Sequence, residues 1–435
     1  MSAKIITECR VGNLSVDLHS LSAKWLSFQK QLINKKTCFI IPILEGCGHS
    51  PAMRSDYRSV YIAFDPHPSY KGASTHIHQM CAVLAETHTP LLLLTLKSNL
   101  NPVCTETIHQ LCFESDEPNL LTRATAFMHW VKQILEDQHN LMLGHYRDIW
   151  GGMAVLKFPH IRAVYEVNGL PSIELPYRFP HLSNETIQKI KQMEAHCLQY
   201  AASVITPSHV TKKYLCAHGG SENKITVIPN GADVPAPLPH PNQLPKNYMT
   251  YVGALQPWQG MDVLLKSLRY LQDVDVVLVV CSSYTEHHAK PYRRFAERLG
   301  VSGKVIWLYQ LNKQELFRVL QHALFSVSPL TECSRNIEQG CSPLKILESM
   351  ACGTPVIASQ LPAVEEIISH NKDGILIRPG RPAELARAIR LAWDYPKHTA
   401  NLGAEAIEKI RQNFTWQRAH KQLQQVYDDA LSFSF

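Results

Sequence analysis

Short apolar runs alternate with stretches of helical periodicity along most of the chain. "SVYIAF" leads into the amphipathic "STHIHQMCAVLAE", and "RAVYEVNG", "ASVITPS" and "KITVIPNG" read as buried strands closed by turn residues. The theme repeats in "NYMTYVGAL", "VDVVLVVCSS", "KVIWLY", "LFSVSPL" and "TPVIAS", each beside a helical stretch. Strands alternating with helices predict parallel sheets covered on both faces, an α/β architecture. "GADVPAPLPHPNQLPKNY", with its five prolines, breaks the pattern and reads as a linker between two doubly wound, Rossmann-like domains. Ligands in such domains sit outside the carboxyl ends of the strands. The predicted division is 60–235 and 236–415, with a final helix over 416–435. Residues 1–59 are expected to be a structural addition to the first domain, in which "HSLSAKWLSFQKQLINKK" suits a helix and "TCFIIPIL" a strand.

One helix carries an unusual charge. In "CSPLKILESMACGTPVIAS", Ser342 suits a cap, Pro343 a first helical position, and Gly353 with Pro355 a stop. Leu344, Leu347 and Ala351 would face a core. Lys345 then stands in the first turn, where the helix dipole disfavours a cation, and Glu348 follows on the same side. An anion bound at the helix N-terminus would account for the lysine, and vicinal hydroxyls such as those of a ribose for the glutamate. The alternative is a plain surface pair worth a few tenths of a kcal/mol, about 0.2–0.5.

Composition narrows the field. With 435 residues, 45% hydrophobic and 18% charged, the chain is long enough for a large core and is not disordered. The net charge of +6 permits an anionic ligand without demanding one. No basic run is interleaved with aromatics, so nucleic acid is not an expected partner. Twelve cysteines without CxxC or zinc spacing, and an N-terminus without signal-peptide shape, lead us to expect a cytoplasmic protein; peripheral membrane contact stays open. No metal ligand set and no cofactor are expected.

Taken together, "PLKILESMACGTPVIAS", "LPAVEEIISHNKDGILIRPGRPAELARAI", "ASVITPSHVTKKYLCAHGGSENKITVIPNGAD", "HPSYKGASTHIHQMCAVLAE" and "FTWQRAHKQLQQVYDDAL" resemble the retaining glycosyltransferases of the GT-B fold, family 4, over about residues 60–435. The resemblance implies a retaining hexosyltransferase. A nucleotide-sugar donor would lie in the second domain and a hydroxyl acceptor of unknown kind in the first, with the C-terminal helix crossing back. It also implies that Gly72, Ala73 and Ser74 form the glycine-rich loop at the cleft and that Glu348 holds the ribose. Tyr309 and Gln310 would border the base, and Gly253, Gln259, Ser342, Pro343, Leu344 and Lys345 would lie around the donor.

The departures from the family pattern are specific. Gly340 stands eight residues before Glu348, where the family has its first motif glutamate, and Ala254 and Gln259 replace the Arg and Lys that clamp the diphosphate. Asn168 occupies the place of an active-site histidine; it can hydrogen-bond but cannot titrate near neutrality. Arg335, Asn336 and Glu338 are candidate substitute contacts, and the cationic role is expected to pass to Lys345 and Arg335. "DVD" at Asp273–Asp275 precedes its apolar run and reads as the start of a strand, and His287 and His288 lack further ligands. His145 suits either a cleft wall or a structural role. A nucleotide-sugar epimerase, a phosphorylase and a non-catalytic nucleotide-sugar binder are the competing functions.

Overall fold

The computed structural model describes residues 56–432; the helix and strand expected before residue 56 lie outside them. The first sheet has seven parallel strands: β1 (Ser59–Pro66), β2 (Leu91–Leu96), β3 (Ile108–Phe113), β4 (Leu143–Tyr146), β5 (Arg162–Glu166), β6 (Ser203–Thr206) and β7 (Ile225–Val227). Of these, β1, β5, β6 and β7 are the expected apolar runs. Their order across the sheet is β3-β2-β1-β4-β5-β6-β7. The "LLLLTL" of β2 has no polar face because helices cover both sides. The intervening helices are α1 (Gly72–Thr87), α2 (Leu120–Glu136), α3 (Ile149–Val155), α4 (Pro171–Arg178), α5 (Asn184–Tyr200) and α6 (His209–Ala217).

A second parallel sheet contains β8 (Tyr248–Gly253), β9 (Val277–Ser282), β10 (Val305–Tyr309), β11 (Phe325–Ser328), β12 (Val356–Ser359) and β13 (Ile375–Ile377), in the order β10-β9-β8-β11-β12-β13. With it run α7 (Met261–Leu268), α8 (Glu286–Arg298), α9 (Lys313–Gln321), α10 (Leu344–Ala351), α11 (Pro362–Glu365), α12 (Pro382–Asp394) and α13 (Pro396–Asn413). The proline-rich stretch between β7 and β8 carries no helix or strand. Asp273 lies ahead of β9, where it pairs with Arg390 at 2.8 Å.

The last helix, α14 (Trp416–Ser432), returns to the first sheet. Its apolar stripe of Trp416, Leu423 and Tyr427 packs with Ile77, Met80 and Leu84 of α1, so burial of that stripe fixes the return. Among the described residues no helix is long and apolar enough to cross a membrane. Both sheets lie within one compact unit. In each the strand order reverses once, between β1 and β4 and between β8 and β11. The loops that leave these strands at their carboxyl ends flank a single cleft.

Candidate active site

The cleft has a volume of about 520 Å³. On the second-sheet side its wall is the start of α10. The helix begins at Leu344 with Pro343 in the N-cap position, one residue later than the sequence suggests, and no side chain caps it. Ser342 is therefore not the cap. Its hydroxyl accepts from the Asn230 backbone N–H at 3.2 Å, while the Asn230 amide donates to the Ser342 carbonyl at 2.7 Å. These bonds tie the "IPNG" turn to the start of the helix.

Lys345 is part-buried and lines this wall. Its Nζ donates to Gln259 Oε1 at 2.5 Å and lies 4.4 Å from the centroid of the Tyr251 ring. A Cβ placed on Gly253 would come within 3.3 Å of it. No carboxylate lies within ion-pair distance among the described residues, and burial pulls the ammonium down to about 7. Glu348, one turn on, lines the same cleft. It is part-buried, not on an open face, and burial pushes its carboxyl up to about 7. The two side chains do not pair with each other, so the simple surface ion pair is absent.

Arg335 reaches the cleft from a π-helical turn, Arg335–Gln339. Its guanidinium stacks over Trp258 and donates to Glu174 Oε1 at 3.3 Å, so its charge is already matched. Asn336 is fully buried and donates to the Trp258 and Thr331 carbonyls at 3.0 and 2.8 Å, which removes it from the candidate contacts. Glu338 does not line the cleft. Gly340 has φ +73° and is packed so that a Cβ would meet Ser208 Oγ and Val210 Cβ at 2.9 Å. A glutamate here would be strained and would clash, which gives the missing motif residue a physical reason.

Gly72 and Ala73 line the opposite wall at the start of α1. Ser74 does not: it is buried, and its hydroxyl accepts from the Ser69 N–H at 2.8 Å and bonds His67 Nδ1 at 2.8 Å. Tyr309 and Gln310 also fall outside the wall; Gln310 donates its backbone N–H to Ser282 at 2.8 Å, and the neighbouring Leu311 reaches the cleft instead.

Below Asn168 lies a group that the sequence reading passed over. Glu166, at the end of β5, is buried, and five side chains converge on it. Tyr61 donates at 2.7 Å and Arg147 at 2.5 Å, His145 Nε2 lies at 2.8 Å and His76 Nδ1 at 3.1 Å, and Asn168 gives one amide hydrogen. Burial alone would raise this carboxyl, but His76, Arg147 and His145 hold it well below the usual carboxylate range. His145 is fully buried and bonds Tyr427 of α14 at 2.6 Å, so its role is structural. Arg147 also binds Asp65 at 3.2 Å. A carboxylate in the apolar strand "RAVYE" was the available signal, since a buried charge requires partners. Among the described residues no group of three or more His, Cys, Asp or Glu is placed to hold a metal.

The two-sheet fold has counterparts among known proteins. Residues 70–235 match the family model described as Glycosyltransferase Family 4, and residues 239–409 match the one described as Glycosyl transferases group 1. The chain is similar to D-inositol 3-phosphate glycosyltransferase of Corynebacterium glutamicum, 28% identical over 228 residues, covering 48% of this chain and 53% of that one. The chain thus spans about half the length of the curated relatives it matches. In structure it resembles sucrose-phosphate synthase from Thermosynechococcus elongatus, with TM-score 0.71 and 18% identity over 85% of this chain and 98% of that one. It also resembles Anabaena Alr3699/HepE in complex with UDP-glucose, with TM-score 0.63 and 16% identity over 84% and 98%. Two adjoining family models and two parallel sheets around one cleft lead to the same assignment: the chain belongs to the family 4, group 1 glycosyltransferases and has the GT-B fold.

Proposed function

We propose that the protein is a retaining hexosyltransferase that moves a sugar from a nucleoside-diphosphate sugar to a hydroxyl acceptor without a metal ion. The observation that carries this reading is Lys345, a part-buried ammonium without a carboxylate partner among the described residues, at the uncapped start of α10 and one turn from Glu348. An anion taken from water needs such a charge, and the helix N-terminus adds only about half of one. The diphosphate sits against Lys345 and the first turn of α10, and the ribose hydroxyls donate to Glu348. As the anomeric C–O bond breaks, charge grows on the departing diphosphate, where Lys345 stabilises it. The acceptor oxygen forms the new bond, and its proton passes to a leaving phosphate oxygen. UDP-glucose, bound by the Anabaena neighbour, is the first donor to try.

Proton NMR of the product tests retention: an α-configured donor should give an α-glycoside, and an inverted product would overturn the retaining assignment. Glu348→Ala should weaken UDP binding by about 1.5–3 kcal/mol, the range for hydrogen bonds to a charged group. Unchanged affinity of a folded variant in calorimetry would remove Glu348 from the site. Transfer should persist in excess chelator, and strict dependence on added magnesium or manganese would contradict the proposed site.

Proton exchange gives a further check. Lys345 and Glu348 both titrate near 7 in the free protein, and binding favours the charged form of each. Above neutrality Lys345 takes up a proton on binding; below it Glu348 releases one. UDP titrations in buffers of different ionisation enthalpy should show net uptake at about pH 8, and at about pH 6 a release larger than that of the UDP phosphate, which itself titrates near 6. No uptake at the higher pH and no release beyond that of UDP at the lower would mean that the ligand touches neither group.

A further inference from the structure

The first-sheet half of the cleft has its own charge pattern, and it differs from that of α10. Arg147 is held by Glu166 at 2.5 Å and by Asp65 at 3.2 Å. His76 faces Glu166 at 3.1 Å. Glu174 is met by Arg335 at 3.3 Å from the opposite wall. Lys71, the remaining lysine or arginine on this wall among the described residues, has its ammonium 5.3 Å from the Tyr284 ring, on the second-sheet side. Arg147 and Arg335 are thus already matched by carboxylates, while Asp65 and Glu174 keep 38% and 30% of their side-chain surface open. Phe64, Tyr70 and Trp150 add aromatic surface to the same wall.

Carboxylates with free lone pairs accept hydrogens from vicinal hydroxyls, and aromatic faces cover the C–H faces of a pyranose or a polyol ring. Away from Lys71, a phosphate dianion would have to displace a carboxylate from Arg147 or approach Asp65 and Glu174 as a like charge, which opposes its binding there. We infer that the acceptor is an uncharged polyhydroxyl compound, a sugar or cyclitol without a phosphate on the part that enters the cleft. This rests on the reading above that the α10 side holds the donor. It separates the chain from relatives named for inositol 3-phosphate. In the transfer, the bond from the anomeric carbon to the diphosphate oxygen breaks and one from that carbon to an acceptor hydroxyl oxygen forms. The hydroxyl proton leaves on the released diphosphate.

Saturation-transfer NMR on the full chain with UDP present tests this, using glucose against glucose 6-phosphate and myo-inositol against inositol 3-phosphate. The neutral member of a pair should bind at least about ten-fold more tightly, the discrimination that a like-charge contact imposes. A phosphorylated member binding equally well or better would overturn the inference. Asp65→Asn, which frees one side of Arg147, should shift preference toward the phosphorylated member by about ten-fold; no shift would show that Asp65 does not guard the site and would overturn it as well. The UDP resonances in the same tube report donor binding. Loss of that signal would mark failure of the donor assignment, whereas UDP bound with the phosphate preferred marks failure of the acceptor inference alone.

Discussion

Lys345→Ala should lower turnover about 100- to 1,000-fold, the loss seen when one group facing developing negative charge is removed. The protein should remain folded, because deleting a part-buried ammonium that has no carboxylate partner among the described residues removes a desolvation cost. Gln259 is the informative second position. Its Oε1 already lies 2.5 Å from Lys345 Nζ, so a lysine at 259 can bring its own ammonium to nearly the same place. Gln259→Lys in the Lys345→Ala background should restore part of the activity, while Gln259→Ala alone should cost much less than Lys345→Ala. Steady-state kinetics of the three variants decide the matter. A Lys345→Ala enzyme with normal kinetics and normal UDP affinity would show that the lysine does not meet the diphosphate.

Glu166→Ala should destabilise the fold by about 3–5 kcal/mol, the cost of removing one partner from a buried charged network. Arg147, His76, Tyr61, His145 and Asn168 would lose a shared partner, and Asp65 would be the one carboxylate left to Arg147 among the described residues. Because the folded-state pKa of Glu166 is depressed, its stabilisation is complete above the ordinary glutamate value and fades only as the pH falls below it. The deficit of the variant should therefore be constant from about pH 6 to 8 and shrink in acid. Urea unfolding across that range measures it; a deficit under about 1 kcal/mol would mean that the network contributes little. Tyr427→Phe, which removes only the outer hydrogen bond to His145, should cost about 1 kcal/mol.

Central strands were legible in the sequence because burial on both faces leaves an uninterrupted apolar run, as in "SVYIAF" and "VVLVV". β3, "IHQLCF", was not, because as an edge strand it mixes polar and apolar positions. β4 and β13 were too short to stand out. In the candidate site, Lys345 was legible because a cation in a first helical turn violates a local electrostatic rule. Glu166 was not: its meaning comes from Tyr61, His76, His145 and Arg147, which sit on other strands and helices and meet only in the folded chain. Ser342 and Ser74 looked like a helix cap and a loop contact because local spacing cannot show that Asn230 and His67 engage their hydroxyls. The family pattern marked Gly340 as a departure, and the packing of Ser208 and Val210 against it supplies the cause.

The most direct test of the glycosyltransferase assignment is a mass-spectrometric panel of nucleotide sugars against the purified full chain, reading binding first and then turnover with an acceptor extract. At least one nucleoside-diphosphate sugar should bind, and its release as a free nucleoside diphosphate should be matched by an equal amount of glycosylated product that Lys345→Ala fails to form. Binding without any transfer, conversion of the donor without an acceptor, or turnover that requires inorganic phosphate would contradict it.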